Sequence, residues 1–323
     1  MAEAFTVAVT GAAGYIGSRV LHGLQRHHPE WDLLALDNFY RGSVREVGEV
    51  TIDHVDIRNR ERLATTLEPA DIVLHLAAIS GVGDCDENSD LAYEVNVTGT
   101  NNVAWACYRT GAGLVFPASM AIFGDPDSFP ITVEQPRDPL NLYGRTKVFG
   151  ERAIETFADD TFPAHVLVKS NLYGAHRIDG QRISKGTVIN YFIDCALSGN
   201  PITVYEPGTQ ARNFIHVIDI ARSYVHSAER LQTQLAAGET GVETYAVASD
   251  EDPSVQEIAE TVRSIAIEEG IADPDIQFVE NSRSAETMVE EFTVDTERTT
   301  SELGWSTEHT IEETIRDLLT AGR

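Results

Sequence analysis

The chain has 323 residues, 42% of them hydrophobic, with 51 acidic against 24 basic side chains and a net charge of −27. That length suffices for a full core in one large domain or two unequal ones. The dispersed acidic balance argues against nucleic acid and anionic membrane as partners, and no run of about 18 apolar residues suggests a membrane span.

Taken from the start, residues 1–10 enter a strand pattern with no basic region before it, so no signal peptide is expected. Phe5 to Thr10 is a β-branched run typical of a buried parallel strand. It leads into Gly11-Ala-Ala-Gly14-Tyr15-Ile16-Gly17 and then the helical pattern Val20, Leu21, Leu24. Strand, glycine turn and helix follow in the order a dinucleotide site requires. Glycines permit the tight turn and the close approach of a pyrophosphate, which sits on the helix N-terminus. A second strand, Leu33–Leu36, ends in Asp37, 20 residues after Gly17. A carboxylate there accepts hydrogen bonds from an adenosine ribose and repels a 2′-phosphate, which favours NAD over NADP. Arg41, close by, is a candidate phosphate ligand. His27 and His28 fall at a helix end and read as solvated. Three widely spaced cysteines (Cys85, Cys107, Cys195) without Cys-x-x-Cys fit free thiols in a reducing cytoplasm, and no cluster has metal-ligand spacing.

The stretch Asn141-Leu-Tyr143-Gly-Arg-Thr-Lys147 reads as a helix start, with Pro139 and Asn141 at its entry. Tyr143 and Lys147 are four apart and share a helix face. A free phenol, with a pKa of roughly 10, is a poor base at neutral pH. A neighbouring ammonium is expected to lower that value and make Tyr143 a usable proton acceptor. Only three of the 24 basic residues are lysines, at 147, 169 and 185.

The Gly-x-x-Gly-x-x-Gly turn combined with Tyr143-x-x-x-Lys147 resembles the extended short-chain dehydrogenase/reductase superfamily, in particular its NAD-dependent epimerase/dehydratase family. Further stretches fit the resemblance over nearly the whole chain. Val55-Asp56-Ile57-Arg58 is similar to the adenine-contacting segment. Ile72-Val-Leu-His75-Leu76-Ala77-Ala78 resembles the strand that passes the cofactor. Asn96-Val-Thr-Gly99-Thr100 matches the Asn-x-x-Gly-Thr element, and Leu114 to Ser119 the strand ending at the catalytic Ser or Thr. The resemblance implies a doubly wound, Rossmann-type parallel sheet with a smaller α/β C-terminal substrate domain. The expected boundaries are 1–169 plus about 216–248 for NAD, and 170–215 plus about 249–323 for substrate. It implies Ser119, Tyr143 and Lys147 as catalytic residues. The cofactor is then expected on Gly11, Gly14, Tyr15, Ile16, Gly17, Asp37, Asn38, Asp56, Ile57, Leu76, Ala77, Ala78, Asn96, Tyr143 and Lys147.

Later segments extend the expectation. Lys169-Ser-Asn171-Leu-Tyr-Gly174 resembles an Arg-x-x-Asn-x-Tyr-Gly element, with Lys169 in place of the usual Arg. Residues 175–187 read as a loop over the site. Gly208 to Asp219 is similar to a signature whose Arg, here Arg212, binds a nucleotide-sugar diphosphate, work suited to a bidentate guanidinium. Arg283-Ser-Ala-Glu286 stands where such enzymes carry Arg-Pro-Gly-Asp. Substrate contacts are therefore expected from Ser119, Asn171, Arg212, Arg283 and Glu286.

The function implied is an NAD-dependent nucleotide-sugar epimerase of the UDP-glucose 4-epimerase type. Sugar dehydratases place an acid immediately after the catalytic Thr. Here Met120 and Ala121 follow Ser119 and cannot transfer protons. A dehydrogenase or reductase acting on a sugar, sugar nucleotide or small hydroxy acid is the alternative, and an NAD(H)-sensing regulator the non-enzymatic one. The resemblance also implies a homodimer through helices near 90–109 and 141–158, with no nucleic acid and no membrane partner. The acidic, lysine-poor surface resembles that of proteins from salt-accumulating cytoplasms such as those of haloarchaea.

Overall fold

The computed structural model describes residues 4–281 and 286–321. The first half builds strands β1 (Thr6–Thr10), β2 (Asp32–Asp37), β3 (Glu46–Val47), β4 (Val50–His54), β5 (Ile72–His75) and β6 (Gly113–Ser119). Between them run helices α1 (Gly17–His27), α2 (Arg60–Leu67), α3 (Val82–Glu87), α4 (Ser89–Tyr93) and α5 (Thr100–Thr110), with one wide π-turn, Glu94–Gly99, leading into α5. Helix α6 (Leu142–Ala158) and strand β7 (Pro163–Lys169) complete this half. The remainder supplies β8 (Asn171–Tyr173), β9 (Ala175–Ile178), β10 (Gln181–Ser184), α7 (Val188–Leu197), β11 (Ile202–Tyr205), β12 (Phe214–His216), α8 (Val217–Ala237), β13 (Gly241–Val247), α9 (Val255–Glu268), β14 (Ile276–Val279), α10 (Glu297–Leu303) and α11 (Ile311–Thr320).

Eight strands form one sheet in the order β13-β7-β6-β5-β1-β2-β4-β3. All its pairings are parallel except the short β3–β4 edge. The central strands are buried on both faces, which is why they read as unbroken apolar runs rather than alternating ones. Chain order reverses between β1 and β5, so their carboxyl ends splay and leave a crevice there. One face is covered through Val20, Leu21 and Leu24 of α1 and Tyr224, Ala228 and Leu231 of α8. The other is covered through Leu63 of α2, Val103 and Cys107 of α5, and Ile154 of α6. A third apolar cluster forms away from the sheet, where Phe192 of α7, Ile202 of β11, Ile258 and Val262 of α9, and Ile315 of α11 pack together. Leu303 and Trp305, late in the chain, return to the main sheet's core. The Trp305 indole N–H donates to the Asp219 carbonyl at 2.9 Å.

Local rules account for the element ends. Asn141 caps α6, its side chain accepting from the Gly144 N–H. Ser254 and Glu257 close a capping box on α9. The expected loop at 175–187 is instead mostly a hairpin, β9 against β10. Its turn, Asp179-Gly180, has φ of 47° and 84°, the left-handed pair that a two-residue hairpin with right-handed twist requires. Among the described residues no helix is long and apolar enough to cross a membrane.

Candidate active site

The glycine turn leaves β1 with Gly11 at φ 72°, where a Cβ would come within 2.5 Å of the Ala77 nitrogen. A Cβ on Gly17 would meet the Gly11 carbonyl oxygen at 2.1 Å. The turn therefore lies hard against the β5 exit and against the start of α1, and only glycine fits at both positions. His75 pins the same corner, its two ring nitrogens bonded to Thr10 at 2.8 Å and Thr100 at 3.0 Å.

Beside this corner lies a cleft of about 280 Å³. Of the residues expected to hold a dinucleotide, it is lined by Gly11, Gly14, Asp37, Asn38, Ile57, Leu76, Ala77 and Ala78. Asp37 ends β2 with its carboxylate accepting from the backbone N–H of Ala13 at 3.0 Å and of Phe39 at 2.6 Å. Burial pushes its pKa up against those bonds. A cleft that sets a carboxylate directly against a glycine turn has the groups that an adenosine ribose and its pyrophosphate call for.

Tyr15, Ile16, Gly17, Asp56, Asn96, Tyr143 and Lys147 do not line the cleft. The Tyr15 hydroxyl donates to the carbonyls of Tyr173 and Gly174 at 3.0 and 2.7 Å, tying the turn to β8. Asp56 binds Asn38 and Arg58, and that guanidinium holds its carboxyl down at about 2. Arg58, absent from the expected set, is the member of the pair on the wall. Asn96 is a brace. Its amide takes the Ile79 N–H at 2.8 Å and donates to the Ile79 carbonyl at 2.9 Å and the Thr146 hydroxyl at 3.1 Å. The side chain is thereby committed to joining the loop after β5 to α6. Arg41 is paired with Asp84 at 2.9 Å.

Ser119 stands at the carboxyl end of β6 and its hydroxyl accepts from the Ala121 N–H at 3.3 Å. Tyr143, in the first turn of α6, is 6% exposed and lies near Ser119. The Lys147 ammonium lies 5.9 Å from the Tyr143 ring centre and 4.9 Å from that of Phe116. Sequence reasoning thus brought together three residues that the fold brings together. The electrostatics differ from expectation. Burial raises the Tyr143 pKa, opposed by the charge of Lys185 and by the nearby Ser119 hydroxyl. Lys147 is itself pushed down to about 7 by burial and by Lys169. Lys169 sits opposite Ser119 in the β6–β7 register and is lowered to about 8 by burial.

Asn171 begins β8, its side chain donating to the Asn213 carbonyl at 3.1 Å. Arg212 donates to the carbonyls of Ala211 and Thr287, both at 2.7 Å, and faces Glu286 and Asp125. Arg283 lies outside the described residues. Another residue unmarked at the sequence level is Arg137. It forks onto the Glu151 carboxylate of α6 at 2.6 and 3.2 Å and donates to the Val133 and Gln135 carbonyls, fixing the segment before α6.

The profile of the NAD dependent epimerase/dehydratase family matches residues 7–240. A UDP-glucose 4-epimerase of Dictyostelium discoideum is 26% identical over 96% of this chain and 94% of its own length. Among solved structures, a Thermus thermophilus UDP-glucose 4-epimerase in complex with NAD superposes with a TM-score of 0.80 at 25% identity, covering 98% of each chain. MoeE5 in complex with UDP-glucuronic acid and NAD does so with 0.81 at 25% identity, over 98% of this chain and all of its own.

Proposed function

The chain belongs to the NAD-dependent epimerase/dehydratase family, and on that premise we propose that it is an NAD-dependent nucleotide-sugar epimerase working at the sugar C4. The observation that carries this reading is the convergence of Ser119, at the end of β6, with Tyr143 and Lys147 in the first turns of α6, Ser119 being followed by Met120 and Ala121. One phenol and one hydroxyl suffice to deprotonate and reprotonate a single alcohol. Elimination would need a further acid where this chain has a thioether and a methyl.

NAD, when bound, supplies a reversible hydride acceptor. Gly11, Gly14, Asp37, Asn38, Ile57, Leu76, Ala77 and Ala78 would hold it. Asp37 is the NAD-selecting group, because its carboxylate repels a 2′-phosphate. Tyr143 takes the proton of the sugar 4-hydroxyl and later returns it to the same oxygen, the keto sugar having turned in between so that the opposite face of C4 is the one reduced. Ser119 hydrogen-bonds the same oxygen and fixes its distance from the phenol. Lys147, on the same helix face, would hold the nicotinamide ribose. Asn171, Arg212, Arg283 and Glu286 are assigned to the nucleotide diphosphate and sugar. For Arg212 this means exchanging two carbonyl partners for phosphate oxygens, a stronger, charge-assisted contact. The cluster around α7, α9 and α11 would then be the substrate domain, closing on the sheet that holds NAD.

A homodimer through the helices near 90–109 and 141–158 fits the exposure of Tyr93, Tyr108 and Phe149 within them and the Trp105–Tyr108–Phe157 aromatic group. The lysine-poor, −27 surface fits a salt-rich cytoplasm, because salt screens such self-repulsion.

The test is incubation of the protein in concentrated salt with UDP-, GDP- and dTDP-sugars, with and without added NAD⁺, read by NMR of the sugar protons. Interconversion of 4-epimers is expected for at least one nucleotide sugar. Conversion of free sugars or hydroxy acids only, with one NADH released per product, overturns the reading.

A further inference from the structure

Two side-chain contacts cross the crevice from its β1–β2 side to the exit of β5, and no step above employs either. The first is the Arg41–Asp84 ion pair, 2.9 Å long. Arg41 follows β2 and lines the cleft. Its neighbour Gly42 lies so close to the glycine turn that a Cβ there would come within 2.6 Å of Ala13. Asp84 belongs to α3, on the opposite wall, between Ile79 and Leu91, which both line the cleft.

The second contact is made by Lys185, which follows β10. Its Nζ donates to the Ser80 carbonyl at 3.0 Å and the Ser80 hydroxyl at 2.7 Å. The near end of this bridge is tied to the glycine turn. The Lys185 carbonyl accepts from the Asn190 amide at 2.9 Å, and the same amide donates to the Gly174 carbonyl at 2.8 Å. That carbonyl also takes the Tyr15 hydroxyl, and the His176 ring bonds the Tyr15 carbonyl at 2.8 Å. The far end is firm as well. Ile79, next to Ser80, is held at both its backbone N–H and its carbonyl by Asn96, and Cys85 of α3 is fully buried. A fixed wall at the β5 exit is thus gripped at two points by long side chains, whose rotation opens the crevice without moving the backbone. Exposure ranks the two grips. Arg41 and Asp84 meet in solvent, where an ion pair is weak. Lys185 is half-buried and donates charge-assisted bonds to two oxygens, which is the stronger hold.

We propose that these contacts are two clasps over the cofactor, and that NAD enters and leaves the crevice only when the Lys185–Ser80 and Arg41–Asp84 bridges part. The inference rests on the NAD cleft and is independent of the reaction at the sugar. Both bridges join protein to protein and use no group of the cofactor, so they slow entry and exit alike. Each rate is scaled by the fraction of molecules with the clasp open. Breaking a clasp therefore speeds both rates and leaves the affinity nearly where it was. Removing a group that binds the cofactor instead speeds exit and weakens affinity.

The test follows NADH by its fluorescence in the full chain and in Lys185→Met, Ser80→Ala, Asp84→Asn and the Lys185→Met/Asp84→Asn double variant, with thermal unfolding as the check on folding. Uptake is timed by rapid mixing, and release by chasing bound NADH with excess NAD⁺. Lys185→Met is expected to raise both rates roughly tenfold, and Asp84→Asn about threefold. In each, Kd should move by less than about threefold, because the two rates rise together. The double variant should exchange about thirtyfold faster, since the two contacts share no partner. Asp84→Asn keeps the Arg41 guanidinium, so it separates loss of the clasp from loss of a cation beside the cofactor. Ser80→Ala removes one of the two acceptors; it should fall between parent and Lys185→Met, and it stands in for Lys185→Met if that variant unfolds. Parent rates in the variants overturn the proposal. Faster release with unchanged uptake also overturns it, because it would make Lys185 or Asp84 part of the cofactor's own binding site. A parent that takes up no NADH overturns the NAD reading of the cleft and the clasps with it, an outcome distinct from a parent that binds NADH and variants that exchange no faster.

Discussion

Lys147→Met is expected to stabilise the ligand-free protein while abolishing most of its activity. Lys147 is 3% exposed, and burial with Lys169 nearby brings its pKa from 10.5 to about 7. Between those values the unfolded chain binds more protons than the folded one, so stability rises with pH across that window. The cost of burying the ammonium is complete below about pH 7 and absent above about 10.5. At pH 7 it amounts to about 4 kcal/mol. Methionine, one atom shorter, keeps most of the dispersion contact with Phe116 but forfeits a cation–π contact worth about 1 kcal/mol. A net gain of about 2–3 kcal/mol is expected at pH 7, or about 3–5 °C in Tm for a chain of this size. The assay is thermal and urea unfolding of both proteins at pH 7 and pH 10, in molar salt to screen the net charge. The gain should fall below about 1 kcal/mol at pH 10. A variant less stable than the parent at pH 7, or equally stabilised at both pH values, would refute the reasoning.

Three further outcomes are expected. Arg137→Ala should cost about 3 kcal/mol in urea unfolding, because it leaves the buried Glu151 carboxylate without its ion-pair partner; a loss under about 1 kcal/mol would show that the pair is solvated. Asp37→Asn keeps one acceptor for the backbone N–H groups of Ala13 and Phe39 but drops the charge. The preference for NAD over NADP should therefore narrow by roughly tenfold in cofactor titrations, and an unchanged ratio would count against it. Tyr143→Phe should lose at least ~10²-fold in turnover with NAD binding intact; near-parent rates would remove Tyr143 from the proton path.

How much of this was legible before folding depended on the range of the interaction. The β1–glycine turn–α1 unit and the Tyr143/Lys147 pair are local, written in spacings of three and four residues, and they emerged where expected. The 175–184 hairpin was also local, marked by Asp179-Gly180, but its polar strands mask the alternation that identifies a strand. The roles set by distant partners were not legible. Asn96 has the composition of a ligand, and only its bonds to Ile79 and Thr146 reveal a brace. Asp56 and Arg58 are neighbours in sequence, and which of them lines the cleft depends on the pull of Asn38 and Glu94. Lys185 stands 38 residues from Lys147 and reaches the site only through the β9–β10 turn and the Ser80 contact. Burial, which raises the Tyr143 pKa, was not legible either, because it depends on what packs over α6.

The most direct measurement of the proposed chemistry follows the hydrogen at the sugar C4. A nucleotide sugar deuterated at C4 is incubated with the enzyme in light water, and the product is analysed by NMR and mass spectrometry while NADH absorbance is recorded. If the alcohol is oxidised and re-reduced within one site, with Tyr143 moving only the hydroxyl proton, the 4-epimer should retain its deuterium at C4 and no NADH should accumulate. Loss of the deuterium to solvent, or NADH formed in step with a keto product, would contradict the epimerase mechanism.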